Sequence, residues 1–190
     1  RVEARYRPAR IALVYGLCSR GTEGVTARHA TLGMARAHDC ITLLLGDRQR
    51  YARYVAAHPG TYWYSPGWNR CHIPPGPERY EQMRQRYVER YGADNAGFLM
   101  ESEQAWFRTY TRAAWVSLPV IQDPAGEAYT QKCANWLGWE TDSVQGDPGL
   151  LFDLVRGHWD DQRYIVLRPG EMFRMTADER IVERSPEPQS

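Results

Sequence analysis

The stretch Ala37-His38-Asp39-Cys40-Ile41-Thr42-Leu43-Leu44-Leu45-Gly46 decides the fold. It joins an imidazole, a carboxylate and a thiol in consecutive positions to an apolar, helix-compatible run. Asp39 reads as an N-cap, because its side-chain oxygen can accept from an orphan backbone N–H of a new helix. Cys40 then takes the first helical position, where the helix dipole favours a thiolate and is expected to lower the thiol pKa. Just upstream, Thr31-Leu32-Gly33-Met34-Ala35 reads as a short strand. The His38-Asp39-Cys40 triplet therefore falls at a strand's carboxyl end, with a helix leaving it.

Working outward, the same alternation recurs. Arg10-Ile11-Ala12-Leu13-Val14-Tyr15 reads as a buried parallel strand. Gly16 to Gly24 is a glycine-rich loop at its carboxyl end, the edge at which open α/β sheets bind ligands. The loop lacks the spacing of a dinucleotide fingerprint and the lysine of a P-loop. Residues 41–58 read as one helix, stopped by Pro59-Gly60. Thr61-Tyr62-Trp63-Tyr64-Ser65 is rich in β-formers. Pro74-Pro75-Gly76-Pro77 is a stiff break. Helices are expected over 78–91, about 95–110, with Phe98, Leu99, Trp106 and Phe107 on the apolar side, 126–137 and 150–155. Further strands are expected over 114–119 and 163–168.

This order implies an α/β fold: an open, mostly parallel sheet with helices on both faces, a Rossmann-like three-layer arrangement. The expected organisation is a lead-in over 1–9, one α/β domain over 10–175 with a break near 73–77, and a polar tail over 176–190.

The chain has 190 residues, 43% of them hydrophobic and 25% charged, which is ordinary globular composition. A net charge of +1 argues against a dedicated nucleic-acid partner. No apolar run is long enough for a membrane span and no signal-peptide pattern is present. The widely spaced Cys18, Cys40, Cys71 and Cys133 read as reduced thiols of a cytoplasmic protein. Lys132 is the sole Lys among the basic residues, and an arginine-rich surface suits protein interfaces.

Cys18, His38 and Cys40 are the candidate metal ligands. The two strand ends would bring them together, and this soft set suits zinc or iron. The same residues also read as a capped helix start with two buried thiols. Cys71-His72 offers a second pair in a loop, Asp160-Asp161 beside His158 offers hard ligands or a plain turn, and Cys133 reads as core. Tyr15 and Gly16 at the loop entrance, with Trp68 after the aromatic strand, are the candidate cofactor contacts; Tyr62, Trp63, Tyr64 and Trp68 line either a flat-cofactor pocket or a core. The Arg/Tyr-rich helix over 79–91 reads as an interface or a solvent-facing helix. No catalytic residue is assigned.

Tyr15-Gly16-Leu17-Cys18, His38-Asp39-Cys40-Ile41 with Leu43-Leu44-Leu45-Gly46, and Gly60-Thr61-Tyr62 with Ser65-Pro66-Gly67-Trp68 together resemble the domain of unknown function 1638. Gly138-Trp139, Leu150-Leu151 and Gly157-His158-Trp159-Asp160 extend the resemblance over most of residues 10–170. Members usually carry a further α/β stretch before the Tyr-Gly-Leu-Cys motif, so that portion is expected to be absent or shortened here. The resemblance implies no established activity. It implies an accessory, assembly or protective role beside a larger metalloenzyme, either a nitrogenase component or a corrinoid methyltransferase system. A thiol- or metal-dependent transferase and a corrinoid-associated binding module are the alternatives. The chain lacks the Asp-x-His-x-x-Gly signature of base-off corrinoid proteins.

Overall fold

The structure is a computed structural model that describes residues 5–6, 8–178 and 180–187. The chain groups into two compact units, Arg1–Tyr51 with Asp147–Ser190, and Ala52–Gly146. A single domain with a break near 73–77 was the expectation; residues 73–77 instead lie inside the second unit.

In the first unit, β1 (Arg10–Leu13) pairs in parallel with β2 (Thr31–Ala35), and β2 pairs antiparallel with β6 (Tyr164–Leu167). The central strand β2 is buried from Leu32 to Ala35. Its alternate residues serve two cores, as the period of two dictates. Leu32 and Met34 pack with Ile165, Leu167, Phe173 and Val182. Ala35 joins Leu43, Leu150, Leu154 and Tyr164. Leu43 belongs to α1 (Cys40–Leu45); Leu150 and Leu154 belong to α7 (Gly149–Arg156). Helices thus cover one face of this sheet. The other face is covered by the hairpin of β7 (Glu171–Met175) and β8 (Val182–Pro186).

Gly33 permits the close covering on the helix side, the face it shares with Ala35. A Cβ on it would lie 2.4 Å from the Trp159 ring. That indole is fixed by its own N–H, which donates to the Leu154 carbonyl at 2.7 Å, and by the Arg10 guanidinium 4.1 Å from its ring centroid. Arg36, just past β2, ties the layer edges together. Its guanidinium donates to the carbonyls of Asp161 and Tyr164, both at 3.2 Å, and to those of Arg180 at 3.0 Å and Val182 at 2.6 Å.

Two expectations are corrected here. The helix expected over 41–58 is two helices, α1 and α2 (Arg48–Ala57). Gly46 ends the first in the left-handed region, with φ 77°, and Asp47 accepts from the Arg50 N–H at 2.6 Å to begin the second. The polar tail expected from residue 176 holds β8, because Ile181 and Val182 are buried and bring the strand onto the core. Its last residues, 188–190, and residues 1–4 and 7 of the lead-in lie outside the described residues.

In the second unit, β3 (Thr61–Tyr64), β4 (Arg112–Ser117) and β5 (Glu140–Gln145) form an all-parallel sheet with β4 in the middle. β4 is buried on both faces from Ala113 to Val116. Tyr64, Ala113 and Trp115 pack with Cys133 and Ala134 of α6 (Pro124–Leu137). The remaining helices are α3 (Pro66–Cys71), α4 (Pro77–Tyr91) and α5 (Ala93–Ala105), the last continuing as a 3-10 turn over Trp106–Thr109. Phe98, expected on the apolar side, is 74% exposed. The fold is mixed α/β with small sheets, and β6 is antiparallel to its neighbour.

Gly33→Ala is expected to lower stability by about 1–3 kcal/mol, the usual cost of overpacking a core. Gly67→Ala, where a Cβ meets nothing within 4 Å, serves as the control and should move stability far less. Denaturant melts of the two variants beside the wild type check this.

Candidate functional site

The turn at the end of β2 forms as its residues dictate. Asp39 caps α1: its carboxylate accepts from the Thr42 N–H at 2.9 Å and the Thr42 hydroxyl at 3.1 Å. The Tyr51 hydroxyl also bonds it, and burial together with that carboxylate pushes the phenol pKa up. Gly16 lies directly against this turn. A Cβ there would stand 2.4 Å from the Asp39 carbonyl carbon and 2.6 Å from the Cys40 nitrogen. The Leu17 N–H donates to the Ala37 carbonyl at 3.2 Å, which holds the Gly16–Cys18 segment beside Ala37–Cys40. Tyr15 packs against the core of its unit.

Cys18, His38 and Cys40 therefore share one neighbourhood; each residue reaches solvent, while packing around the Cys40 thiol desolvates it in part. Among the described residues no three His, Cys, Asp or Glu side chains stand close enough together to hold a metal ion. Asp39 is committed to its cap and to Tyr51, and the Cys18 thiol turns to the Gly16 carbonyl at 3.8 Å.

The thiol chemistry expected of Cys40 is also corrected. Its pKa is raised, not lowered: burial comes first, and the Asp39 charge and Cys18 add to it. Backbone N–H groups at the helix start oppose this but do not overcome it. A helix of six residues with a carboxylate at its cap is a poor activator of a thiolate.

Of the other candidates, Cys133 is fully buried in the second unit's core, where burial pushes its thiol up to about 11. Asp160 holds a turn, accepting from the Gln162 and Arg163 N–H groups at 3.1 and 2.8 Å and from Arg163 Nε at 2.6 Å.

Trp68 leads to a different site. It lines a cavity of about 350 Å³ in the second unit, together with Tyr62, His72, Arg79, Arg86 and Trp106. Each wall has a local cause. Ser65 caps α3 by accepting from the Trp68 N–H at 3.2 Å, and Pro66 sits at the helix start. That places Trp68 and His72 four apart on one helical edge, and their rings lie 4.1 Å apart. The Trp68 indole also hydrogen-bonds the half-buried Tyr62 hydroxyl. Burial raises the Tyr62 pKa, so the phenol stays neutral beside the indole. On α4, Arg79, Met83 and Arg86 recur at i, i+4 and i+7 and turn one face to the cavity.

The charges along this lining are uneven. Among the described residues no Asp or Glu lines the cavity. Arg79 is bound to Glu103 at 2.5 Å, and Glu103 also accepts from the Tyr87 hydroxyl at 2.7 Å. The Arg79 Nε is buried without a hydrogen-bond partner. Arg86 is exposed and makes no hydrogen bond or ion pair among the described residues. Cys71, read earlier with His72 as a loop pair, also contributes to the wall. Sequence reading found Trp68 and Tyr62 and read the helix over 79–91 as an interface or a solvent-facing helix, but placed neither Arg79, Arg86 nor Trp106 at a cavity; the i, i+4, i+7 spacing along 79–86 was the available signal.

A family model described as a protein of unknown function (DUF1638) matches residues 2–155. Neither a curated protein nor a solved structure matches the chain.

With its pKa raised, Cys40 should hold less thiolate at neutral pH than the about few per cent of a free cysteine. Its alkylation by iodoacetamide at pH 7.5 should therefore be slower than that of free cysteine. Asp39→Asn keeps a capping side chain but removes the charge, so the thiol pKa should fall and Cys40 should react faster. Mass-resolved labelling of Cys40 checks both outcomes.

Proposed function

The chain belongs to the family of proteins of unknown function DUF1638, and from that membership we propose a non-catalytic accessory protein that binds a small-molecule ligand in the Trp68 cavity and serves a larger metalloenzyme. The observation that carries the reading is the cavity itself. Its aromatic walls are held in place before any ligand arrives, Trp68 by Tyr62 and His72, and Arg86 stands free at the lining. Pre-placed walls of this kind lower the ordering cost of binding.

The metalloenzyme part of the proposal rests on what the resemblance implies, with a nitrogenase component or a corrinoid methyltransferase system as client. The proposal also takes the all-parallel β3-β4-β5 sheet as the nucleus of a Rossmann-like arrangement. Its parallel register and the packing of α6 against β4 support that. A cavity of about 350 Å³ suits a ligand of one or two rings. The raised pKa of Cys40 speaks against a transferase built on that thiol.

Affinity purification of the tagged chain from a native extract, with native mass spectrometry of the eluate, tests the proposal. The expected result is a larger partner that elemental analysis shows to contain metal, and a small-molecule adduct on the wild-type chain that is lost in Trp68→Ala. A bare chain mass accompanied only by chaperones would count against it.

A further inference from the structure

We propose that the Trp68 cavity selects a flat ring system carrying a single anionic group, with the ring on the Trp68 and Trp106 side and the anion on Arg86. The inference rests on the reading of this cavity as a ligand site and adds the class of ligand.

The argument is one of unequal lining. Trp68 and Trp106 are 38% and 44% exposed, so both present indole surface that the core does not use. A large exposed aromatic beside a cavity is an unspent stacking surface. Trp68 is the better defined of the two, because Tyr62 holds its indole N–H and His72 holds its ring.

The cationic side is equally specific. Arg79 and Arg86 lie seven residues apart on α4 and both line the cavity. Arg79 is already neutralised by Glu103 and rests 5.8 Å from the Phe107 centroid, so it braces the wall. Arg86 has no such partner among the described residues, and no carboxylate lines the cavity to compete for it. One free guanidinium in a lining that also carries two indoles matches one anion on a flat body. A guanidinium presents a planar fork that fits carboxylate and phosphate oxygens alike. The volume of about 350 Å³ accommodates a mononucleotide-sized molecule.

Phosphate and carboxylate share this chemistry, so matched pairs separate them. Calorimetric titration of the full chain with adenosine 5′-monophosphate against adenosine, and with indole-3-acetate against indole-3-acetamide, is the test. In at least one pair the anion should bind about tenfold or more tighter than its neutral counterpart, the usual worth of a hydrogen bond to a charged group. The pair that discriminates identifies phosphate or carboxylate. Arg86→Gln should erase that preference, and Trp68→Ala should weaken both members of the pair. Inorganic phosphate alone should bind far more weakly than the ring-bearing anion. Equal binding of anion and neutral, or a preference that survives Arg86→Gln, overturns the ligand class while leaving the cavity as a binding site. Failure of every probe, charged and neutral, overturns both the class and the cavity reading.

Discussion

The first unit depends on the absence of a single carbon atom. At Gly33 the middle strand of a three-stranded sheet comes within a Cβ's length of the Trp159 indole. Trp159 in turn is fixed by the Leu154 carbonyl and by Arg10. Because the ring can close over the strand there, the helix-side face of β2 is covered, and the β7-β8 hairpin covers the other face. Ala35 then meets α1 and α7, and Leu32 and Met34 meet the β7-β8 hairpin. The small sheet is covered by two apolar layers, one of them admitted by one small residue, and the buried apolar area is the main favourable term.

Much of this was legible in the chain. Thr31–Ala35 is a strand over the residues that its composition marks, and Asp39 caps the helix that follows. Local chemistry decides both, so local reading suffices. Where reading stopped short, the cause was tertiary. β5, Glu-Thr-Asp-Ser-Val-Gln, has too few apolar residues to announce a strand; it exists because β4 offers it a complete ladder at the sheet's edge. β8 is hidden by its charges and by Ile181, whose φ of 67° is unusual for a β-branched residue and is held there by burial. The break at Gly46-Asp47 was visible in principle, as a helix-ending glycine followed by a capping carboxylate, but the continuing apolar pattern masked it.

The candidate site shows the same division. The Cys18/His38/Cys40 neighbourhood was inferred from strand ends, and the chain does bring those residues to one turn. What the turn needs from them is geometry: Gly16 for close approach and Asp39 for the cap. Once Asp39 is spent on the cap, its charge works against the thiolate that the helix start would favour. The Trp68 cavity, by contrast, joins α3 and α4 with the distant Trp106, and the charge imbalance along it emerges only when Glu103 is seen to claim Arg79 and leave Arg86 alone.

The Arg36 clasp has a consequence for how this chain can vary. All its recorded bonds go to main-chain carbonyls, two before and within β6 and two at the approach to β8. A carbonyl is present whatever residue bears it, so the attachment reads the path of the chain and ignores its lettering. Arg36 itself is held to one identity, because only a guanidinium can donate in so many directions at once. Arg180, its side chain 62% exposed, can change without removing the carbonyl that Arg36 grips. One fixed residue thereby purchases variability for a whole arm.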